Sequence, residues 1–324
     1  MVEFNEKNAR IWSMLGPSGV LGIAACEIAD KDENFVIVTA DLCYFSGLDR
    51  YQKIHPDKLI NVGIAEQNML GIAGGLAKEG LSVASTTYAS FATTRILDQV
   101  KVNMGYMKLP IKLIGLTAGY AAGILGATHM AIEDIAIMRS IPNITIISPA
   151  DCTETMKAII SVAKMDTPVY IRMNGSSRMP IIYKDDYDFQ IGKAIKLRSG
   201  NDISLMATGT MVDTALRVAK LLESKNLSCE VLDFHTIKPI DKETIYNSAR
   251  KKAIITIEEH STIGGLGSAV AEVMAAMTQK PPQLIIGIED KYLHAASYGA
   301  LMERSGLTAE QIYEKILLFM EKGE

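Results

Sequence analysis

Glu66 stands where a carboxylate could do chemistry. An apolar run at residues 58–62 is broken by Gly63, and from Glu66 onward apolar residues recur at Met69, Ile72, Ala73, Leu76 and Ala77. The first pattern predicts a short strand and the second a helix with one buried face. A carboxylate just past a strand end, at the start of a buried helix, lies where α/β folds hold their working groups. The plainer alternative is a helix-start carboxylate that answers the macrodipole. Three other places carry side chains of similar interest. Tyr88 and Phe91 set two rings one helical turn apart, able to pack on a planar group or to fill a core. Asp41 follows the apolar run 35–39 and reads either as a site residue at a strand end or as a turn or capping aspartate. His129 follows Gly126-Ala127-Thr128 and could donate a hydrogen bond to a ligand. It could equally lie at a helix start capped by Thr128.

The elements that must hold these residues repeat down the chain. Strand-like runs at 35–39, 59–62, 82–86, 111–116, 144–147 and 169–172 alternate with helical patterns at 15–29, 89–104 and 131–139. A polar stretch from Asn174 to Asp188 then reads as a crossing between domains. Beyond it, strands are expected at 203–207, 229–233, 253–257 and 284–288, with helices at 212–222, 242–250, 265–277 and 308–320. The alternation predicts α/β architecture, two consecutive domains at 1–178 and 189–324 with mainly parallel sheets. A length of 324 residues suffices for both.

Bulk properties narrow the function classes. The net charge is −4 and no basic patch dominates, which argues against a nucleic-acid partner. The polar N-terminus does not read as a signal peptide, and no apolar run is expected to span a membrane. Cys26, Cys43, Cys152 and Cys229 are far apart, without a Cys-x-x-Cys pair, as in a reduced, cytoplasmic protein. Glu258-Glu259-His260 suggests metal ligands, but consecutive residues at a strand end cannot all face one ion. His55, His235 and His294 are isolated and read as structural or solvated.

The segment Gly63-Ile64-Ala65-Glu66 resembles the pyrimidine-binding domain of the transketolase family of thiamine diphosphate enzymes. The resemblance covers nearly the whole chain. It implies that Glu66 grips the aminopyrimidine ring and exchanges a proton with its far nitrogen, the step that readies the cofactor's own amino group as a base. Tyr88-Ala89-Ser90-Phe91 is similar to the family's aromatic pair on the pyrimidine, although the third position of that segment falls on Thr94. Thr39-Ala40-Asp41-Leu42 resembles the turn whose aspartate approaches the cofactor. Gly126-Ala127-Thr128-His129 aligns with a Gly-Pro-Thr-His whose histidine faces the sugar. Residues 231–241, 257–260 and 264–267 resemble the C-terminal domain shared by transketolases and the β-subunits of 2-oxoacid dehydrogenases.

Departures from the family are as informative. No Gly-Asp-Gly occurs, the motif that binds Mg2+ and the cofactor's diphosphate. The resemblance therefore implies the C-terminal subunit of a split enzyme, completed by an N-terminal subunit in an α2β2 assembly. Ile124-Leu125 and Thr117-Ala118 replace polar residues that usually read the sugar hydroxyl and phosphate, which points to an atypical sugar. Arg172 and Arg178 lie near the family's late arginine, and Arg172 is expected to meet a phosphate or sulfonate. The competing readings are a β-subunit of a 2-oxoacid dehydrogenase, a 1-deoxyxylulose-5-phosphate synthase-like enzyme, and an inactive scaffold that kept the fold.

Overall fold

The structure, a computed structural model, describes residues 2–321. The first half supplies strands β1 (Phe35–Thr39), β2 (Leu59–Asn61), β3 (Ser82–Tyr88), β4 (Lys112–Ala118), β5 (Thr145–Ile147) and β6 (Val169–Asn174). The second supplies β7 (Ile195–Arg198), β8 (Ile203–Ala207), β9 (Cys229–Asp233), β10 (Thr236–Lys238), β11 (Ala253–Ser261) and β12 (Gln283–Ile288). They form a seven-stranded sheet, β10-β5-β6-β4-β3-β1-β2, and a five-stranded sheet, β12-β11-β8-β9-β7. All pairings are parallel except β10 on β5 and β7 on β9. The two α/β sheets, mostly parallel, are those the sequence pattern predicts. β10 is the exception to a clean division: a strand of the second half closes the edge of the first sheet.

Helices cover the sheets. They are α1 (Glu6–Ala29), α2 (Asp49–Ile54), α3 (Glu66–Lys78), α4 (Leu97–Gln99), α5 (Asp134–Ser140), α6 (Cys152–Ala163), α7 (Met211–Glu223), α8 (Lys242–Ser248), α9 (Leu266–Ala275), α10 (Tyr298–Arg304) and α11 (Ala309–Glu321). All five residues of β1 are buried, as expected of a parallel strand covered on both faces. Trp12, Val20 and Leu21 of α1 and Met156 and Ile159 of α6 share a core with Phe35 and Ile37 on one face. On the other, Met69, Leu70 and Ala73 of α3 join a core that runs on to Leu232, Phe234 and Ile237 of the second half. The second sheet has its own core, between α7, α11 and strands β8, β9 and β11.

Three expectations need correction. α1 is 24 residues long, capped by Asn5 and kinked at Gly16-Pro17, and by length and composition it could cross a membrane. The sequence pattern marks only its later part, so residues 6–14 extend the helix beyond expectation. Of its most apolar window, 56% is buried inside the fold, where α6 packs on it. The stretch 89–104 is not one regular helix: α4 lies between π-helical turns at Phe91–Arg95 and Val100–Tyr106. Thr93 and Thr94 donate their hydroxyls to the Ala89 and Ser90 carbonyls, a local competition with the helical ladder. α6 is a helix the sequence pattern does not predict, although Asp151 caps it by accepting from the Glu154 amide.

A buried acidic cluster ties the crossing segment to both sheets. Asp151 accepts from the Ile182 and Tyr183 amides at 2.8 and 2.9 Å. The Tyr183 hydroxyl donates to Asp233 at 2.7 Å, and the Tyr187 hydroxyl to Glu154 at 3.0 Å. Asp233 lies close to Glu154 in this cluster, and its charge disfavours ionisation of Glu154. Burial pushes the Asp233 carboxyl up to about 7, and burial together with Asp233 pushes Glu154 well above the carboxylate range. His235, stacked on Phe189 at 4.4 Å, is pushed down to about 4 by burial and is neutral at pH 7.

Candidate active site

The candidate site lies at the carboxyl ends of β1, β2 and β3. Asn61, the last residue of β2, holds two turns together. Its side-chain oxygen accepts from the Asp41 and Gly63 amides, both at 3.0 Å, and its amide donates to Asp41 Oδ1 at 3.2 Å. Gly63 has φ 75°, a left-handed conformation that suits glycine, and it turns the chain from β2 into α3. Glu66 is the first residue of α3 and is only 5% exposed. The helix N-terminus behind it favours a negative charge.

Among the described residues Glu66 has one charged partner. Arg95 donates from Nη1 to Glu66 Oε1 at 2.7 Å, and the same guanidinium lies 3.7 Å from the centroid of the Phe91 ring. Phe91, Tyr88 and His129 form a mutual edge-to-face cluster. Ring centroids are 5.8 Å apart for Tyr88 and Phe91, 5.6 Å for Tyr88 and His129, and 5.2 Å for Phe91 and His129. Tyr88 and Phe91 are half-buried, so each keeps a surface open to a ligand. Tyr88 closes β3, and burial raises its hydroxyl pKa. The loop that follows Gly126, φ 82°, delivers His129, whose Nδ1 shares a 3.0 Å hydrogen bond with the Thr128 hydroxyl.

The structure thus gathers Glu66, Tyr88, Phe91 and His129, with Arg95 as the link. Asp41 lies on the neighbouring strand end, exposed and clasped by Asn61. Arg172 is not part of this group, and the expectation that it meets a substrate is corrected. It is 1% exposed. Its Nε donates to Asp134 at 2.8 Å, and its Nη2 donates to the Ala131 and Glu259 carbonyls. Tyr170 also donates to Asp134, at 2.8 Å. Arg172 points into a covered face of β6 and fastens that strand to α5 and β11. Arg178 is exposed instead, at a cleft of about 440 Å³ lined by Thr210, Arg217 and Tyr298. Ala118 is fully buried beside Ala89 and Ala131, so it meets no ligand, whereas Leu125 is half-exposed in the loop before His129.

Glu258, Glu259 and His260 serve separate ends. Glu258 accepts from the Leu266 and Gly267 amides, Glu259 accepts from the Tyr120 amide and the Tyr298 hydroxyl, and His260 Nε2 accepts from the Ala136 amide. Among the described residues no group of three or more His, Cys, Asp or Glu side chains could hold a metal ion. Two residues of the site, Asn61 and Arg95, escape the sequence reading. Arg95 lies four residues after Phe91, a helical spacing that could have revealed it.

A half-open aromatic cluster beside a buried carboxylate fits a flat heterocycle with a ring nitrogen, such as an aminopyrimidine. That fold and that site define a pyrimidine-binding α/β domain followed by a second α/β domain. Residues 18–178 match the transketolase pyrimidine-binding domain and residues 192–312 the transketolase C-terminal domain. The chain is 39% identical over 287 residues to the 6-deoxy-6-sulfo-D-fructose transketolase subunit SqwH of Clostridium sp. (strain MSTE9), covering 88% of each chain. It is 37% identical over 299 residues to one of the subunits of apulose-4-phosphate transketolase from Phocaeicola vulgatus, covering 91% of this chain and 95% of that one. A solved structure described as a split gene transketolase, inactive beta4 tetramer, superposes with a TM-score of 0.86 at 34% identity, covering 96% of this chain and 99% of that one. The chain belongs to the transketolase family, thiamine diphosphate-dependent transferases, and corresponds in length and domains to the C-terminal subunit of the split members. That correspondence favours the split transketolase over the dehydrogenase and synthase readings.

Proposed function

We propose that this chain carries the pyrimidine half of a thiamine diphosphate site and works only with an N-terminal subunit that supplies the diphosphate and Mg2+ half. The complete enzyme, α2β2 and cytoplasmic, transfers a two-carbon ketol unit from a ketose to an aldose. Domains at 1–178 and 189–324 would divide the work, the first holding the site. The observation that carries the reading is Glu66, buried at the start of α3 beside the Tyr88–Phe91–His129 cluster.

The bound cofactor supplies a stabilised carbanion. This chain's residues do the rest. Glu66 hydrogen-bonds a pyrimidine ring nitrogen and passes a proton to and from it. Phe91 and Tyr88 pack on the ring and keep water from it. His129 donates a hydrogen bond to the sugar, and Asp41 borders the site at the β1 end. Leu125, apolar in the loop that bears His129, favours a modified sugar over a common pentose phosphate. Relatives named for 6-deoxy-6-sulfo-D-fructose and apulose 4-phosphate support that choice.

The test is titration calorimetry with thiamine diphosphate and Mg2+, on this chain alone and co-expressed with its partner. Tight binding is expected only in the pair, together with ketol transfer over a sugar panel. Tight binding by the isolated chain would overturn the divided site.

A further inference from the structure

Arg95 covers both groups that a pyrimidine would use. Its guanidinium is 2.7 Å from Glu66 Oε1 and 3.7 Å from the centre of the Phe91 ring. A flat ring cannot stack on the Phe91 face that Arg95 covers, nor reach that oxygen, while the guanidinium stays there. We propose that Arg95 is a gate: its side chain closes over Glu66 and Phe91, and swings outward to admit the cofactor's pyrimidine. The proposal rests on the reading of Glu66 and Phe91 as the pyrimidine site.

Three features suit Arg95 to this role. First, the guanidinium is a planar cation, so it can pair with a carboxylate and lie on an aromatic face at once. Glu66 has 6% of its side chain exposed, and a carboxylate so buried is costly without a partner. Second, the Arg95 side chain is 45% exposed, so its head reaches water by rotation alone. Third, its backbone is held. Gln67 donates from Nε2 to the Arg95 carbonyl at 3.3 Å, and the π-helical turn from Phe91 to Arg95 places ring and cation on the same side. Among the described residues the Arg95 side chain has no hydrogen-bond partner besides Glu66. The motion therefore breaks one ion pair and one ring contact and disturbs no element of the fold.

The gate also bears on proton transfer. While Arg95 holds it, Glu66 Oε1 accepts from a cation and is not available to the ring nitrogen. Once the guanidinium leaves, the same oxygen can share a proton with that nitrogen. Closure thus guards a buried carboxylate, and opening arms the relay in the same movement.

The experiment measures binding of thiamine diphosphate with Mg2+ to this chain together with its partner, by calorimetry at equilibrium and by stopped-flow fluorescence for the association rate. The variants are Arg95→Met, Arg95→Ala and Phe91→Ala, each first checked for its melting temperature. Displacing a half-exposed ion pair and a cation–π contact weakens binding by roughly 3- to 30-fold. Arg95→Met and Arg95→Ala should therefore bind that much more tightly and associate faster, while Phe91→Ala should bind more weakly. If Phe91→Ala weakens binding but both Arg95 variants bind as wild type or worse, the gate is wrong and the pyrimidine site stands. If Phe91→Ala leaves binding unchanged, the site and the gate fall together. Two Arg95 variants guard against one that misfolds.

Discussion

Asp233→Asn should make the protein less sensitive to a rise in pH from about 4 to about 7. In the wild type, Asp233 is fully buried, accepts from the Tyr183 hydroxyl at 2.7 Å, and faces Glu154. Its other neighbours in the cluster are Asp151 and the Tyr187 hydroxyl, and no cation pairs with it among the described residues. Burial raises its carboxyl from an ordinary 3.8 to about 7. The folded protein therefore holds a proton that the unfolded chain releases above about pH 4. Stability is full below the unfolded value and falls as pH rises, until the folded carboxyl also titrates near 7. At 1.36 kcal/mol per pH unit, that span is an upper limit of about 4 kcal/mol. An asparagine keeps an acceptor for Tyr183 and offers Glu154 a permanent N–H donor, so it needs no proton. Urea unfolding of wild type and variant at pH 5 and pH 8 gives the measurement. The variant should gain on the wild type by about 1–2.5 kcal/mol between the two pH values, most of it before pH 7. Subtracting the two profiles removes contributions common to both, such as that of His235. Parallel profiles would refute the raised Asp233 carboxyl.

Other expectations are as direct. Glu66→Gln in the complete enzyme should keep the fold and assembly and lose about 10²–10⁴ in turnover, since an amide relays no proton. Near-normal turnover would remove Glu66 from the mechanism. Arg172→Met leaves Asp134 buried without its cation, and thermal or urea unfolding should show a loss of about 3–5 kcal/mol. Unchanged stability with a raised KM for sugar would restore Arg172 as a substrate residue. For kcat/KM over a sugar panel, deoxy, branched or sulfonated sugars should exceed xylulose 5-phosphate with ribose 5-phosphate. Efficient use of the ordinary pair would end the argument from Leu125.

What is legible in the sequence follows the range of the interactions. β1 is visible as a short continuous apolar run, α3 and α7 because burial on a fixed period is a local signal, and Glu66 because Gly63 marks the turn before it. Tyr88, Phe91 and His129 are recognisable as residues, yet their meeting depends on β3 and β4 lying side by side. Arg172 misleads because an arginine in a strand has no local mark of its partner. Asp134 lies 38 residues away and turns a candidate anion ligand into a fastening. β10 is three residues long and pairs with β5 some ninety positions earlier, which no window of sequence displays. α6 is hidden despite its Asp151 cap because its threonines weaken the helical pattern.

The pairing of β10 with β5 sets an order on the birth of the molecule. Ribosomes deliver residues 145–147 long before residues 236–238, so the growing chain carries an open edge at β5 through that interval. An open edge is a template for another strand, including that of a neighbouring nascent chain. A fragment ending at residue 178 would hold every side chain gathered around Glu66 and still lack the strand that seals its sheet. The second half thus supplies the strand that closes the first sheet, and that sheet cannot take its final form before residues 236–238 have been made.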